Sequence, residues 1–129
     1  MTDAIAVAVF NTSEDMTTLL RMALERVGYV VVTAFTNRLR DGTTDLEALM
    51  RQYRPRVIIY DVALPYDVNW NLLQQIRHSP ACKDVSFVVT TTNCKRLQEV
   101  AGDEATGALE IVGKPYDLDE LLSLVRRAL

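Results

Sequence analysis

The stretch Val57-Ile58-Ile59-Tyr60-Asp61 constrains this chain more than any other. Its three β-branched residues and tyrosine run without polar alternation, which describes a short strand covered on both faces, as in a parallel sheet. Val62-Ala63-Leu64-Pro65 then turns the chain away at once. Open α/β sheets collect their functional groups at the carboxyl ends of the strands, so Asp61 is a candidate reactive group. The competing reading is structural: Asp commonly opens loops, and Asp61 would then only cap a turn.

A length of 129 residues and a 49% hydrophobic content describe one globular domain, 1–129, with a substantial core. Fourteen basic and seventeen acidic residues are scattered, giving a net charge of −3 and no block suited to a phosphate backbone. Direct nucleic-acid binding is therefore not expected. No apolar run approaches a membrane span, and the start of the chain lacks a signal-peptide pattern, so the expected location is the cytoplasm. Cys82 and Cys94 fit reduced thiols there, in neither a metal-ligand spacing nor a redox motif.

In chain order, the apolar run Ile5 to Phe10 ends at Asn11-Thr12-Ser13-Glu14-Asp15. Thr12 or Ser13 can cap a following helix, and Glu14 and Asp15 suit its positive end. Met16, Leu19, Leu20, Ala23, Leu24 and Val27 recur at helical spacing, and Gly28 is placed to stop the helix. Tyr29 to Thr33 reads as a second strand, and Phe35 to Thr44 as a long surface connection without apolar periodicity. Thr44 and Glu47 have capping-box spacing for a short helix through Gln52, which Pro55 ends before the Asp61 strand. A third helix carries Leu72, Leu73 and Ile76, with Asn69 before it as a candidate left-handed residue and His78 closing it. Val85 to Thr91 is a fourth strand running into Thr90, Thr91 and Thr92; a weak helix with Leu97, Val100 and Ala101 follows. The fifth strand, Ala108 to Val112, delivers Gly113-Lys114-Pro115 and a last helix with Leu118, Leu121, Leu122 and Val125 inward.

Five strands alternating with five helices predict an α/β, flavodoxin-like, doubly wound parallel sheet in the order 2-1-3-4-5. Its switch point lies between the first and third strands, which brings the Asn11 loop beside Asp61 and sets Thr91 and Lys114 at adjoining strand ends.

With Asp61 followed by Leu64-Pro65, a threonine at 91, and Lys114-Pro115 before Tyr116, the chain resembles the receiver domains of bacterial two-component response regulators over nearly its whole length. The resemblance implies that Asp61 is the phosphoacceptor, that Thr91 binds the phosphoryl group, and that Lys114 pairs with both. It also implies a histidine kinase or phosphotransfer protein as partner, and a homodimer through the last helices as one assembly.

Two departures from the family pattern bear on function. The adjacent acidic residues that hold Mg²⁺ in the family fall here on Asn11 and Thr12, leaving Asp61 as a weak Mg²⁺ ligand. Glu14 and Asp15 are the nearest substitutes, but a helix carries them past the strand end. The aromatic switch position three residues before the lysine is Ile111, which is stiff at χ1 and apolar. The leading expectation is an atypical, pseudo-receiver signalling module with impaired Mg²⁺-dependent phosphorylation, not an enzyme, working through protein contacts around Arg96, Glu99, Arg126 and Arg127. An active phosphoacceptor is the alternative. A flavodoxin-like electron carrier is a remote one, since Asn11-Thr12-Ser13 has no glycine for a phosphate loop.

Overall fold

The structure, a computed structural model, describes residues 4–102, 110–113 and 117–129. Its strands are β1 Ala6–Asn11, β2 Val30–Phe35, β3 Val57–Val62, β4 Ser86–Thr91 and β5 Glu110–Gly113. All pair in parallel, in the order β2-β1-β3-β4-β5. The expected strand order is the observed one.

Among the described residues the helices are α1 Glu14–Arg26, α2 Thr36–Asp41, α3 Leu46–Tyr53, α4 Tyr66–Arg77, α5 Cys94–Ala101 and α6 Leu118–Ala128, with a 3₁₀ turn at Pro80–Cys82. That is one helix more than the five expected, because α2 occupies the segment read as a surface connection. With six residues and Leu39 as its one large apolar side chain, α2 has no periodicity to find. Ser13 caps α1 by accepting from the Met16 amide. The cap of α3 is Asp45, accepting from Ala48, rather than Thr44. Gly28 follows α1 with φ +100°, a conformation that glycine takes without strain.

Alternation along the strands sorts their side chains onto two faces. Val7, Val9, Val57, Ile59 and Val88 pack with Leu20 and Leu24 of α1 and with Leu121 and Val125 of α6. Ala8, Phe10, Ile58, Tyr60 and Val89 pack with Met50 of α3, Leu73 of α4 and Leu97 of α5. Each fully buried leucine contributes roughly 2–3 kcal/mol through removal of apolar surface from water. The buried Tyr60 hydroxyl donates to the Asn69 carbonyl at 2.9 Å, tying β3 to α4. Burial holds that phenol well above its ordinary pKa, against the opposing charge of Arg40.

Arg54 closes α3 in the left-handed region, φ 48°, with its amide donating to the Met50 carbonyl. A side chain with a Cβ costs roughly 1–2 kcal/mol in that conformation relative to glycine.

The thiols differ in access: Cys94 is exposed, while Cys82 is buried, and burial pushes its thiol up to about 11. A thiol reagent is expected to modify Cys94 rapidly in the native protein and Cys82 only on unfolding, which mass spectrometry reads directly. Modification of both at equal rates in the folded state would contradict this packing. The raised Cys82 value also carries a sign: its neutral form is favoured on folding, so its contribution is complete below the unfolded-state value and fades as pH rises toward about 11.

Candidate functional site

The site is built at the carboxyl end of β3, where strand parity decides which side chains meet. Val57 and Ile59 face the α1/α6 side, so Asp61, two residues further, projects to the same side. In β4, Asp61 pairs in register with Thr90, whereas Thr91 pairs with Val62 on one side and Gly113 on the other. The Thr90 hydroxyl donates to Asp61 Oδ1 at 2.6 Å. Both residues are buried, Asp61 at 3% exposure. A bond that short to a carboxylate falls in the charge-assisted range.

Thr91 is also buried, but its hydroxyl accepts a long 3.4 Å bond from the Asn93 amide. The hydroxyl beside Asp61 is thus that of Thr90, one position before the threonine singled out in the sequence. Three consecutive threonines conceal parity, and only the sheet register resolves it.

Asn11 is the last residue of β1, one step beyond the Phe10–Tyr60 pair, and is 2% exposed. It shares the parity of Val7 and Val9, and so the face of Asp61. Its Oδ1 accepts from the Ser13 amide at 2.9 Å, which commits that oxygen to the entry of α1. Thr12 is exposed, as are Glu14 and Asp15 in the first turn of α1. Among the described residues, no three His, Cys, Asp or Glu side chains gather where a metal ion would need them.

Lys114 lies outside the described residues, as do Pro115 and Tyr116; Gly113, the last described residue of β5, is level with Thr91. The backbone of Ile111 pairs with Val89, and its side chain is likewise outside the description.

The loop after Asp61 is held by Asn69, a residue whose part was not read from the sequence. Asn69 lies within α4 rather than ahead of it, and it is helical rather than left-handed. Its Nδ2 donates to the carbonyls of Ala63 at 2.7 Å and Pro65 at 3.2 Å. The signal available was a polar residue between Val68 and Trp70 on the inward side of a helix. Across the loop, the Tyr66 and Thr92 hydroxyls share a 2.9 Å hydrogen bond. Leu64, Pro65, Tyr66 and Val100 flank a cleft of about 630 Å³ between α4 and α5. Arg96 and Glu99 pair at 3.0 Å on the exposed side of α5, a solvated contact that contributes little to stability. His78 caps the end of α4, its Nδ1 2.8 Å from the Gln74 carbonyl, remote from the Asp61 strand end in sequence.

No family model matches this chain. It is 28% identical over 123 residues to the phosphate regulon transcriptional regulatory protein PhoB of Rhizobium meliloti, across 95% of this chain and 51% of that protein. With the response regulator MprA of Mycobacterium leprae it shares 33% identity over 110 residues, 85% of this chain and 44% of the relative. The chain therefore spans about half the length of these relatives. Among solved structures, the chemotaxis protein CheY4 of Vibrio cholerae superposes with a TM-score of 0.75 at 25% identity, covering 98% of this chain and 100% of that one. A response regulator receiver protein from Pseudomonas putida, 21% identical and covered to 99% by 98% of this chain, has the same fold at a TM-score of 0.73. A parallel sheet ordered β2-β1-β3-β4-β5, a buried aspartate where β3 ends, and relatives that are response regulators converge: this chain is a response-regulator receiver domain of two-component signalling.

Proposed function

We propose that this receiver domain keeps the phosphoacceptor position, Asp61, but is impaired in Mg²⁺-dependent phosphorylation and signals chiefly by binding protein partners. The observation that carries the reading is the chemistry at the end of β1. An amide at Asn11 and a hydroxyl at Thr12 stand where the family has two carboxylates, and Asn11 Oδ1 is already engaged by the Ser13 amide. Mg²⁺ relies on carboxylate charge in strict octahedral geometry, and this donor set does not fit it. A phosphoryl group then lacks the cation that offsets its charge during transfer. The domain is a binding module rather than an enzyme, with a histidine kinase or phosphotransfer protein as its class of partner, in the cytoplasm.

The second reading, an active phosphoacceptor, is favoured by one feature: Asp61 and Thr90 already form a buried, hydrogen-bonded pair at the strand end. Incubation with Mg²⁺ and acetyl phosphate, followed by intact mass, separates the two. The expected result is an unmodified protein, together with an Asp61→Asn variant whose cellular output stays close to that of the parent. Stoichiometric phosphorylation lost in that variant, with loss of output, would establish the second reading instead.

A further inference from the structure

At the pole of the sheet opposite Asp61, the amino ends of the strands carry a groove of about 420 Å³ between α3 and the Pro80–Cys82 turn. Met50, buried at 4% exposure, is at its base, Pro80 and Ala81 form one side, and Glu47, Arg51 and Arg54 line the rest. Arg56, just before β3, and Lys83, just after the turn, are exposed at the same pole with Asp84. Four cations thus stand against two carboxylates here, in a chain whose formal net charge is −3. Among the described residues none of these four cations is in an ion pair.

The fold alone accounts for Arg51, since a cation in the last turn of α3 suits the helix dipole. It does not account for Arg54. That residue occupies a left-handed helix end, φ 48°, where glycine or asparagine sits with less strain. A strained, exposed arginine that lines a groove points to use of the side chain.

We propose that this groove docks an acidic peptide segment of a partner protein, with one apolar side chain seated on Met50 and flanking carboxylates on Arg51 and Arg54. The guanidinium forks suit carboxylates bidentately, and the surrounding positive field attracts an acidic chain while disfavouring a basic one. The surface is independent of the state of Asp61, at the other end of the sheet.

The probe is a fluorescein-labelled peptide, acetyl-Glu-Asp-Leu-Glu-Glu-amide, titrated into the intact chain by fluorescence anisotropy. Binding is expected to weaken at least about tenfold in R51Q/R54N, and similarly when the peptide leucine is replaced by alanine. Asparagine at 54 tolerates the left-handed backbone, so the variant retains its fold, which circular dichroism verifies. D61N should bind as the parent does. Failure to bind below about 1 mM overturns the proposal, as does equal affinity of parent and R51Q/R54N. A thymidine oligonucleotide that binds more tightly than the peptide would overturn it in favour of nucleic acid.

Discussion

Asn11→Asp combined with Thr12→Asp is expected to raise Mg²⁺ affinity at least about tenfold, or about 1.4 kcal/mol. Asn11 and Asp61 project to the same face of the sheet from adjacent strand ends, so a carboxylate at 11 adds its charge beside the one present. The existing contact survives, because an aspartate oxygen accepts from the Ser13 amide as the Asn11 oxygen does. Thr12 is exposed and has room for the second acid. Three carboxylates at two adjacent strand ends repel one another in the absence of a cation. The double variant should therefore be less stable than the parent in chelator and recover stability as Mg²⁺ is added, by mass action on the folded state. Calorimetric titration gives the affinity, and Trp70 in α4 offers a fluorescence readout. Parent protein that binds Mg²⁺ as tightly as the variant would show that other groups, Glu14 or Asp15 among them, complete the site.

The sequence signals that held are those with a strong local cause. Val57 to Tyr60 reads as a buried strand because nothing in it favours water, and the structure buries every residue of β3. Ser13 and Gly28 punctuate α1 as their chemistry requires. Signals failed where a decision belonged to tertiary structure. The short helix α2 has no stripe of its own and exists because the chain leaving β2 continues against the Tyr60 face, with Leu39 packed there. Asp45 displaced Thr44 as a cap by one residue, within the spread of caps available to a Thr-Thr-Asp run. At the site, the buried position of Asp61 near the end of β3 was readable from its own strand. Its hydroxyl partner was not, since the choice among Thr90, Thr91 and Thr92 depends on how β4 slides against β3.

That choice has a measurable consequence in Thr90→Val against Thr91→Val. Valine has the shape of threonine and favours strands, so each substitution removes a hydroxyl and little else. At 90 the loss falls on a 2.6 Å bond to a carboxylate that is 3% exposed. Hydrogen bonds to charged groups contribute about 1.5–3 kcal/mol, and a buried carboxylate that loses one of its donors bears part of its desolvation cost as well. Thr90→Val is therefore expected to lower unfolding free energy by about 1.5–3 kcal/mol in urea denaturation. Thr91→Val forfeits only the 3.4 Å contact with the Asn93 amide, and its cost should stay below about 1 kcal/mol. The assignment is specific enough to be tested against Asp61 itself: in an Asp61→Asn background the Thr90→Val penalty should shrink, because the acceptor is no longer charged. A double-mutant cycle measures that coupling, with about 1 kcal/mol or more expected for groups in direct contact. Equal penalties at 90 and 91, or a Thr90→Val cost untouched by Asp61→Asn, would mean that Thr90 stabilises the strand without holding the carboxylate.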